Sequence, residues 1–227
     1  VVPLPYYIEV PGGAEDIRQV LKVNETEDTE AGAYQFVTVG IRHATLSHLV
    51  YAWLTPFTDI RSAKETTGGS TDAEFMRINQ FYMQTSQNMA KYQGLKTAGK
   101  DIELKYLGVY VLTVTDNSTF KGILNIADTV TAVNDKTFDS SKDLVDYVNS
   151  QKLGDPVKVT YEEDGRVKTA EGKIITLENG KNGIGIGLID RTEVTSDVPI
   201  RFSTAGIGGP SAGLMFSLAI YTQIADP

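Results

Sequence analysis

The sequence predicts an α+β protein of two domains, and three observations support this fold class. Runs rich in β-branched and aromatic residues recur between turn-forming segments, as is typical of strands. One long segment with helical spacing, 71–97, separates a first group of such runs from a second. The length of 227 residues, with 41% hydrophobic and 22% charged residues, suits one large or two small globular domains.

The first part of the chain predicts strands and helices in alternation. The long helix opens with Thr71 and Glu74, whose spacing is that of a capping box, and Gly99 ends it. Thr45 is placed to cap the shorter helix before it. In chain order we expect a strand at 17–23, an acidic turn at 24–32, a strand at 34–42, a helix at 45–54 and a polar loop at 64–70.

After residue 100 the pattern changes to short strands around one helix. Ser140 or Ser141 can cap that helix. The tripeptide Glu163-Asp164-Gly165 predicts a hairpin turn. The predicted elements are strands at 108–115, 128–133, 156–161 and 166–174, a helix at 142–151, and two further strands at 183–189 and 196–203.

Composition narrows the classes of function. The net charge of −8 argues against nucleic acid or an anionic membrane surface as a partner. The chain has no cysteine, which excludes disulfides and thiolate metal sites. His43 and His48 have no acidic residue placed to join them, so we expect no metal. A G-x-x-x-x-G-K-[ST] loop is absent, and we expect neither ATP nor another cofactor.

The run Gly-Gly-Pro-Ser-Ala-Gly at 208–213 is the strongest candidate for chemistry. It places Ser211 between small residues at the start of an apolar segment, 214–224. A helix N-terminus there would offer free N–H groups and a positive dipole end, which can stabilise an oxyanion. The run also fits the G-x-S-x-G pattern of α/β-hydrolases, but that assignment requires a later histidine, and both histidines precede Ser211. A loop that only caps a buried helix is the alternative interpretation.

A second glycine-rich run, Gly-Ile-Gly-Ile-Gly at 183–187, has spacing like that of a dinucleotide-binding loop. It lacks the helix and the distal acidic residue that such a loop requires. We therefore expect a strand under close packing.

The run Leu-Asn-Ile-Ala-Asp-Thr-Val at 124–130, followed by Val133 and Asn134, is similar to the L-x-x-x-D-x-I…V-N pattern of PDZ domains. The block 104–176 thus resembles a PDZ domain of the bacterial, circularly permuted type. The resemblance implies that a peptide C-terminus adds as a strand after a carboxylate-binding loop at 106–109, with the helix at 142–151 as the other wall. The residues it assigns to peptide binding are Tyr106, Leu107, Gly108, Val109, Tyr110, Leu144 and Val148.

Two separate segments are similar to the proteolytic domain of Lon-type serine proteases. They are Ile-Arg-Phe at 200–202 together with 208–213, and Met-Gln-Thr-Ser-Gln at 83–87. The resemblance implies a discontinuous Lon-like domain, 1–101 and 179–227, with a PDZ domain inserted at 102–178. Taken together, the chain resembles the PDZ-containing Lon-like serine peptidases of Gram-positive bacteria.

Lon-type enzymes use a Ser-Lys dyad, in which a buried lysine of lowered pKa activates the serine. The resemblance implies that Ser211 is the nucleophile and that the lysine lies beyond Pro227. We expect Lys173 and Lys181, the lysines that precede Ser211 most closely, to be charged surface residues. The backbone positions assigned to the oxyanion are Gly208, Gly209, Pro210 and Ala212.

The function implied by the resemblance is an ATP-independent endopeptidase on the extracellular face of the cell membrane. An N-terminal segment preceding this chain would anchor it. The PDZ domain would engage a peptide or protein substrate, such as a secreted signalling peptide. The alternative is a PDZ adaptor that binds peptides on a catalytically inert Lon-like scaffold. The sequence carries no signal for the oligomeric state.

Overall fold

The computed structural model describes residues 4–29 and 32–225, which form mixed α and β structure. Residues 1–3, 30–31 and 226–227 fall within the predicted Lon-like domain or the predicted turn at 24–32 and lie outside the described residues. The helices are α1 (Leu46–Leu54), α2 (Ala63–Thr67), α3 (Asp72–Thr97), α4 (Ser141–Asn149) and α5 (Gly213–Ile224), and a short 3₁₀ helix spans Ile17–Gln19. The strands are β1 (Tyr6–Asp16), β2 (Leu21–Val23), β3 (Gln35–His43), β4 (Asp59–Ser62), β5 (Glu103–Val114), β6 (Thr129–Val133), β7 (Pro156–Glu163), β8 (Arg166–Lys173), β9 (Ile175–Thr176), β10 (Asn182–Gly183), β11 (Ile186–Thr195) and β12 (Ile200–Phe202).

An N-terminal antiparallel sheet has the order β3-β1-β4. Sequence patterning does not predict β1, because Pro11, Gly12 and Gly13 interrupt it. The register between β1 and β3 shifts between Pro11 and Ala14, which is a β-bulge. A Cβ atom at Gly12 would lie 2.2 Å from Thr38 Oγ1, so this glycine lets the two strands stay close.

The helix caps follow the sequence closely. In α3 the Thr71 hydroxyl accepts from the Glu74 N–H at 3.3 Å, and the Glu74 carboxylate accepts from the Thr71 N–H at 2.7 Å, so the predicted capping box is confirmed. The segment predicted as a loop at 64–70 instead contains most of α2. Its N-cap Ser62 forms the same reciprocal pair with Glu65, and that S-x-x-E spacing is a signal that could have revealed the helix.

The first hydrophobic core lies between α3, α5 and the β2-β12 pair. Phe216 of α5 is fully buried and meets the rings of Phe36 and Phe202 edge-on, at centroid distances of 5.8 and 4.9 Å. Gly94 lets the two helices approach, because a Cβ atom there would lie 2.8 Å from Ile220 Cγ2. The buried members are Ile17, Leu21, Val23, Phe36, Met83, Ala90, Leu95, Ala212, Phe216, Ala219 and Ile220.

The second core is enclosed by an antiparallel sheet of order β11-β5-β6-β7-β8 and by α4. Ser140 caps α4 by accepting from the Asp143 N–H at 3.2 Å, and the predicted hairpin joins β7 to β8. The buried members are Val109, Val111, Phe120, Leu124, Val130, Val133, Phe138, Leu144, Val148, Val157, Val159, Tyr161, Ile174 and Ile184.

Strand β11 forms one edge of this sheet, although it lies past the predicted domain boundary at residue 178. It pairs with β5 from Ile186 opposite Val114 to Thr195 opposite Glu103. The strand predicted at 183–189 therefore begins three residues later and runs further. The second core uses sequence from both sides of that boundary.

Candidate functional site

The loop at residues 183–185, which starts at the last residue of β10 and leads into β11, requires glycine at two positions. Gly185 has a φ of +74°, and a Cβ atom there would lie 2.5 Å from Thr115 Oγ1. A Cβ atom at Gly183 would lie 2.6 Å from Leu177 Cδ1. The glycine pattern thus reflects the close packing that the sequence predicts. It also brings the backbone of this loop against the body of the domain.

Two carbonyl groups of this loop accept hydrogen bonds, whereas two of its N–H groups donate none to the described residues. Ser118 Oγ donates to the Ile184 carbonyl at 2.6 Å, and the Thr115 N–H donates to the Gly185 carbonyl at 2.8 Å. Within the part of the chain that the structure describes, neither the Ile184 nor the Gly185 N–H donates to an acceptor. Successive backbone N–H groups of this kind can bind an anion.

The loop leads directly into a sheet edge with no strand beside it among the described residues. Backbone groups of successive strand residues point alternately to the two edges. Because the Gly185 carbonyl points to β5, Gly187 and Ile189 do so too, and Ile186 and Leu188 direct their backbone groups outward. An extended peptide could therefore pair with Ile186 and Leu188.

Helix α4 runs beside this edge with its C-terminal end at the loop. The Asn182 side chain donates to the carbonyl of Gln151, just past α4, at 2.7 Å. At the other end, the Ser141 N–H donates to Asp190 Oδ1 at 2.9 Å. We call the space between α4 and residues 183–190 the β11–α4 groove.

The sides of the β11–α4 groove are apolar. Ile186 and Leu188 are half-buried and pack against the second core, which also contains Ile184 and Val148. Apolar walls next to free backbone N–H groups can bind an apolar side chain and a carboxylate at the same time.

The predicted peptide-binding residues lie in two places. Leu144 and Val148 lie on the buried face of α4, where they belong to the second core. The run 106–110, however, lies inside β5, where it pairs with β11 along its length and with β6 at Val109 and Tyr110.

This position corrects the predicted carboxylate loop at 106–109. Val109 is fully buried, and a Cβ atom at Gly108 would lie 2.3 Å from the Val130 carbonyl oxygen. Gly108 therefore serves the packing of β5 against β6. The undonated N–H groups are those of Ile184 and Gly185, two buried residues just before β11, in a run that sequence reasoning assigned only to close packing.

Tyr106 lies at the far end of the groove. Its hydroxyl is buried and has no hydrogen-bond partner among the described residues. Burial, followed by the charges of Asp190 and Asp143, raises the pKa of Tyr106, which stays a neutral phenol.

The serine segment 208–213 packs against α3. Ser86 Oγ donates to the Pro210 carbonyl at 3.0 Å, and the Gly209 N–H donates to the Asn79 carbonyl at 2.9 Å. Ser211 is exposed, two residues before α5 begins. The segments 83–87 and 208–213 are thus in contact, as expected if they belong to one unit.

Two of the predicted oxyanion donors are corrected by this geometry. Proline has no N–H, so Pro210 cannot donate. The Gly209 N–H is already donated to Asn79. Gly208 and Ala212 are the positions left from that prediction, and Ala212 is the N-cap of α5.

A base for Ser211 is not evident in the described chain. Lys173 and Lys181 are exposed, in keeping with the prediction for them. Burial lowers the pKa of Lys91, whose ammonium lies 5.5 Å from the centre of the Phe202 ring. Within residues 4–29 and 32–225, no hydrogen bond joins Ser211 to a lysine or histidine.

His43 contacts an acidic residue that is distant from it in sequence, although no acidic residue joins it to His48 among the described residues. Its Nε2 lies 2.7 Å from Asp72 Oδ2, and its ring stacks on Tyr7 at 4.4 Å. Tyr7 donates to the other oxygen of the same carboxylate. Burial, then the hydrogen bond to Asp72, raises the pKa of Tyr7 to about 12. Sequence spacing cannot reveal this cluster, because Asp72 is brought in by the first turn of α3.

Neither a cluster of metal ligands nor a membrane-spanning helix occurs among the described residues. They contain no group of three or more His, Cys, Asp or Glu side chains that could hold a metal ion. No helix among them is both long and apolar enough to cross a bilayer.

Comparison with known proteins identifies one part of the chain. The PDZ domain family model matches residues 79–174, beginning within α3. No curated protein matches the chain.

Similar solved structures include PDZ domains from Listeria. The PDZ domain of the SdrC-like protein of Listeria monocytogenes is 34% identical, over 38% of this chain and 93% of that one, with a TM-score of 0.37. The corresponding domain from Listeria innocua is 36% identical, over 36% of this chain and 92% of that one, with a TM-score of 0.34. The family match thus agrees with the resemblance found in the sequence at 104–176, and this chain contains a PDZ domain.

Proposed function

We propose that this protein binds the carboxyl-terminal end of a peptide or protein in the β11–α4 groove. The observation that carries the proposal is the pair of undonated N–H groups, Ile184 and Gly185, at the start of an edge strand flanked by a helix. The presence of a PDZ domain supports it, since such domains bind peptides by adding a strand to a sheet edge.

The chemistry follows from the groove's groups. The terminal carboxylate accepts hydrogen bonds from the Ile184 and Gly185 N–H groups, and these are stronger because the acceptor is charged. The peptide backbone pairs with the outward edge of Ile186 and Leu188. The apolar sides of the groove favour an apolar last residue.

Peptide titration tests this function. Peptides with a free carboxyl-terminal Leu, Ile, Val or Phe should bind about tenfold or more tightly than the same peptides amidated, because a hydrogen bond to a charged group contributes about 1.5–3 kcal/mol. Nuclear magnetic resonance should place the largest shifts at 183–188. Equal affinity for both forms would count against a carboxylate site.

We propose, as a second function, that Ser211 is the nucleophile of a Lon-type endopeptidase. The contact between 83–87 and 208–213 favours it, because the two segments with this resemblance lie far apart in sequence. The PDZ domain would then recruit the substrate, a surface protein or a secreted signalling peptide, in the manner of the streptococcal peptidase SepM, to which the motifs are similar. Surface anchoring and an extracellular location are part of this proposal.

Cleavage of a secreted-peptide panel, followed by mass spectrometry, tests the second function. The protein is made from its full natural reading frame, which includes any residues after Pro227. Ser211→Ala should abolish turnover and leave peptide binding unchanged. Ser203→Ala, a nearby exposed serine, is the matched control and should keep both. Turnover that survives Ser211→Ala would exclude Ser211 as nucleophile, and binding without turnover in every form would favour the adaptor.

A further inference from the structure

The outward edge of β11 is open at its start and covered further along. Ile186 and Leu188 direct their backbone groups outward, and the next outward residues are Asp190 and Thr192. Thr85 Oγ1 of α3 donates to the Asp190 carbonyl at 2.9 Å. Asn88 Nδ2, one turn later on α3, donates to the Thr192 carbonyl at 2.8 Å. Helix α3 therefore occupies the two edge positions that an added strand would use next.

The side chain of Asp190 contacts α4, on the side of the β11–α4 groove opposite β11. Its Oδ1 accepts from the Ser141 N–H at the start of α4, at 2.9 Å. Asp190 thus connects three elements: its carbonyl is held by α3, its carboxylate by α4, and its strand is β11. A peptide that runs along the groove from the 183–185 loop meets this junction after Leu188.

The covering helix is held firmly elsewhere. Phe81 of α3 stacks on Tyr110 of β5 with ring centroids 4.1 Å apart. On the opposite side, Met83 and Ala90 are buried in the first core against α5. Displacing α3 from β11 would disturb both contacts, so Thr85 and Asn88 act as a fixed cap.

We infer that α3 limits the ligand of the β11–α4 groove to a short carboxyl-terminal segment, with Thr85 and Asn88 as the residues that set its length. This inference rests on the proposed peptide binding. Two free edge positions, Ile186 and Leu188, pair with two alternate residues of an antiparallel peptide, which spans about three residues from the carboxylate. Residues further upstream in the ligand leave the sheet edge and contribute little to affinity.

A length series tests the inference on the intact chain. The probes are pools of three-, five- and eight-residue peptides with a free terminal Leu, Ile, Val or Phe and randomised residues before it. Dissociation constants come from titrations followed by nuclear magnetic resonance, with the Asn88 side-chain amide as reporter of the cap. We expect the three- and eight-residue pools to bind within about threefold of each other, since no new backbone pairs form. The Asn88 amide signal should stay in place.

The double variant Thr85→Ala with Asn88→Ala removes both donors and also the side-chain atoms that lie over the Asp190 and Thr192 carbonyls, while α3 keeps its contacts with Tyr110 and the first core. It should uncover the edge, so that the eight-residue pool gains about tenfold over the three-residue pool through the added backbone pairs. The matched control is Gln80→Ala with Thr97→Ala, the same kind of truncation at exposed positions of α3. It should behave as the wild type.

The outcomes separate this inference from the function on which it rests. Failure of every pool to bind overturns the proposed function, and the inference with it. Binding by all pools in the wild type, with affinity rising more than about tenfold from three to eight residues, overturns the length limit alone. A double variant that binds long and short pools equally excludes Thr85 and Asn88 as the residues that set the length.

Discussion

The two glycine-rich segments of this chain, 183–187 and 208–213, look alike in sequence and differ in structure. The first precedes an edge strand and keeps the Ile184 and Gly185 N–H groups undonated among the described residues. The second precedes a helix, and its Gly209 N–H is donated to α3. Glycine spacing alone predicts a backbone that turns tightly. The neighbouring element decides whether its donors are available to a ligand.

Helix α3 contacts the second segment directly and also covers the strand that follows the first. Its Asn79 and Ser86 hold the second segment, while Thr85 and Asn88 cover β11 beyond the first. The same helix therefore fixes the serine loop and limits the groove. It is also where the family match begins, at residue 79.

The largest expected effect is a loss of stability when a side chain is added at Gly108. This variant tests whether the carboxylate site lies at 106–109 or at 183–185. The φ of Gly108 is +128°, and a Cβ atom would lie 2.3 Å from the Val130 carbonyl oxygen. Gly108→Ala should lower the free energy of unfolding by about 3 kcal/mol or more, measured by urea denaturation. Gly122→Ala has a φ of +77° but no atom nearby, and should cost about 1–2 kcal/mol.

If Gly108 instead belonged to the peptide site, its variant would lose binding and keep its stability. That result would place the carboxylate loop at 106–109 and contradict the assignment of the carboxylate site to the Ile184 and Gly185 N–H groups.

A smaller effect, on peptide affinity, should distinguish the glycine-rich segment at 183–187 from the one at 208–213. Gly185 and Gly209 both have positive φ, +74° and +89°, so alanine strains either backbone to a similar degree. Gly185→Ala also brings a Cβ atom to 2.5 Å from Thr115 Oγ1, which displaces the N–H groups beside it. Its affinity for free-acid peptides should fall about tenfold or more. Gly209→Ala should bind as the wild type does in the same titration, and equal losses would contradict separate roles.

Local signals in the sequence were enough for most of the fold. The Thr71 capping box and the Ser140 cap predict α3 and α4, because a cap involves only neighbouring residues. Strand β1 is different, since the Pro11 bulge breaks its alternation and pairing with β3 and β4 keeps it extended. The segment 17–23, predicted as one strand, forms a 3₁₀ helix followed by β2. Here the reason is local, because the Asp16 side chain accepts from the Arg18 N–H and turns the chain.

The candidate site was harder to predict than the fold. The run 124–134 is sufficient to suggest a PDZ domain, and the family match confirms one. The position of the groove depends on which strand lies at the sheet edge, and strand order is set by long-range pairing. Gly108 and Gly185 both precede apolar strand residues. Only the register between β5 and β11 shows that Gly108 lies inside the sheet.

The smallest effect concerns how the start of α3 is anchored, at the Tyr7–Asp72–His43 cluster. Hydrogen bonds from Tyr7, and then from His43, hold the pKa of Asp72 below its ordinary value of 3.8. A carboxyl whose pKa is lowered on folding stabilises the protein above its unfolded pKa, and this contribution disappears as the pH falls through the folded value. Wild type should therefore exceed Asp72→Asn in stability by a constant amount above about pH 5, and the difference should shrink below about pH 4.

Urea denaturation from pH 3 to pH 7 measures this difference, with Tyr7→Phe as a second variant that removes the first-ranked hydrogen bond and keeps the ring. Tyr7→Phe should show a weaker form of the same pH dependence. If the difference in the free energy of unfolding between wild type and Asp72→Asn instead grew toward pH 3, the ionised Asp72 would not stabilise the start of α3. Because α3 holds the serine segment and covers β11 at Asp190 and Thr192, loss of this anchor should also loosen the cap on β11. The eight-residue peptides should then gain affinity in Asp72→Asn by less than in the double variant at Thr85 and Asn88, since those two residues touch the strand itself.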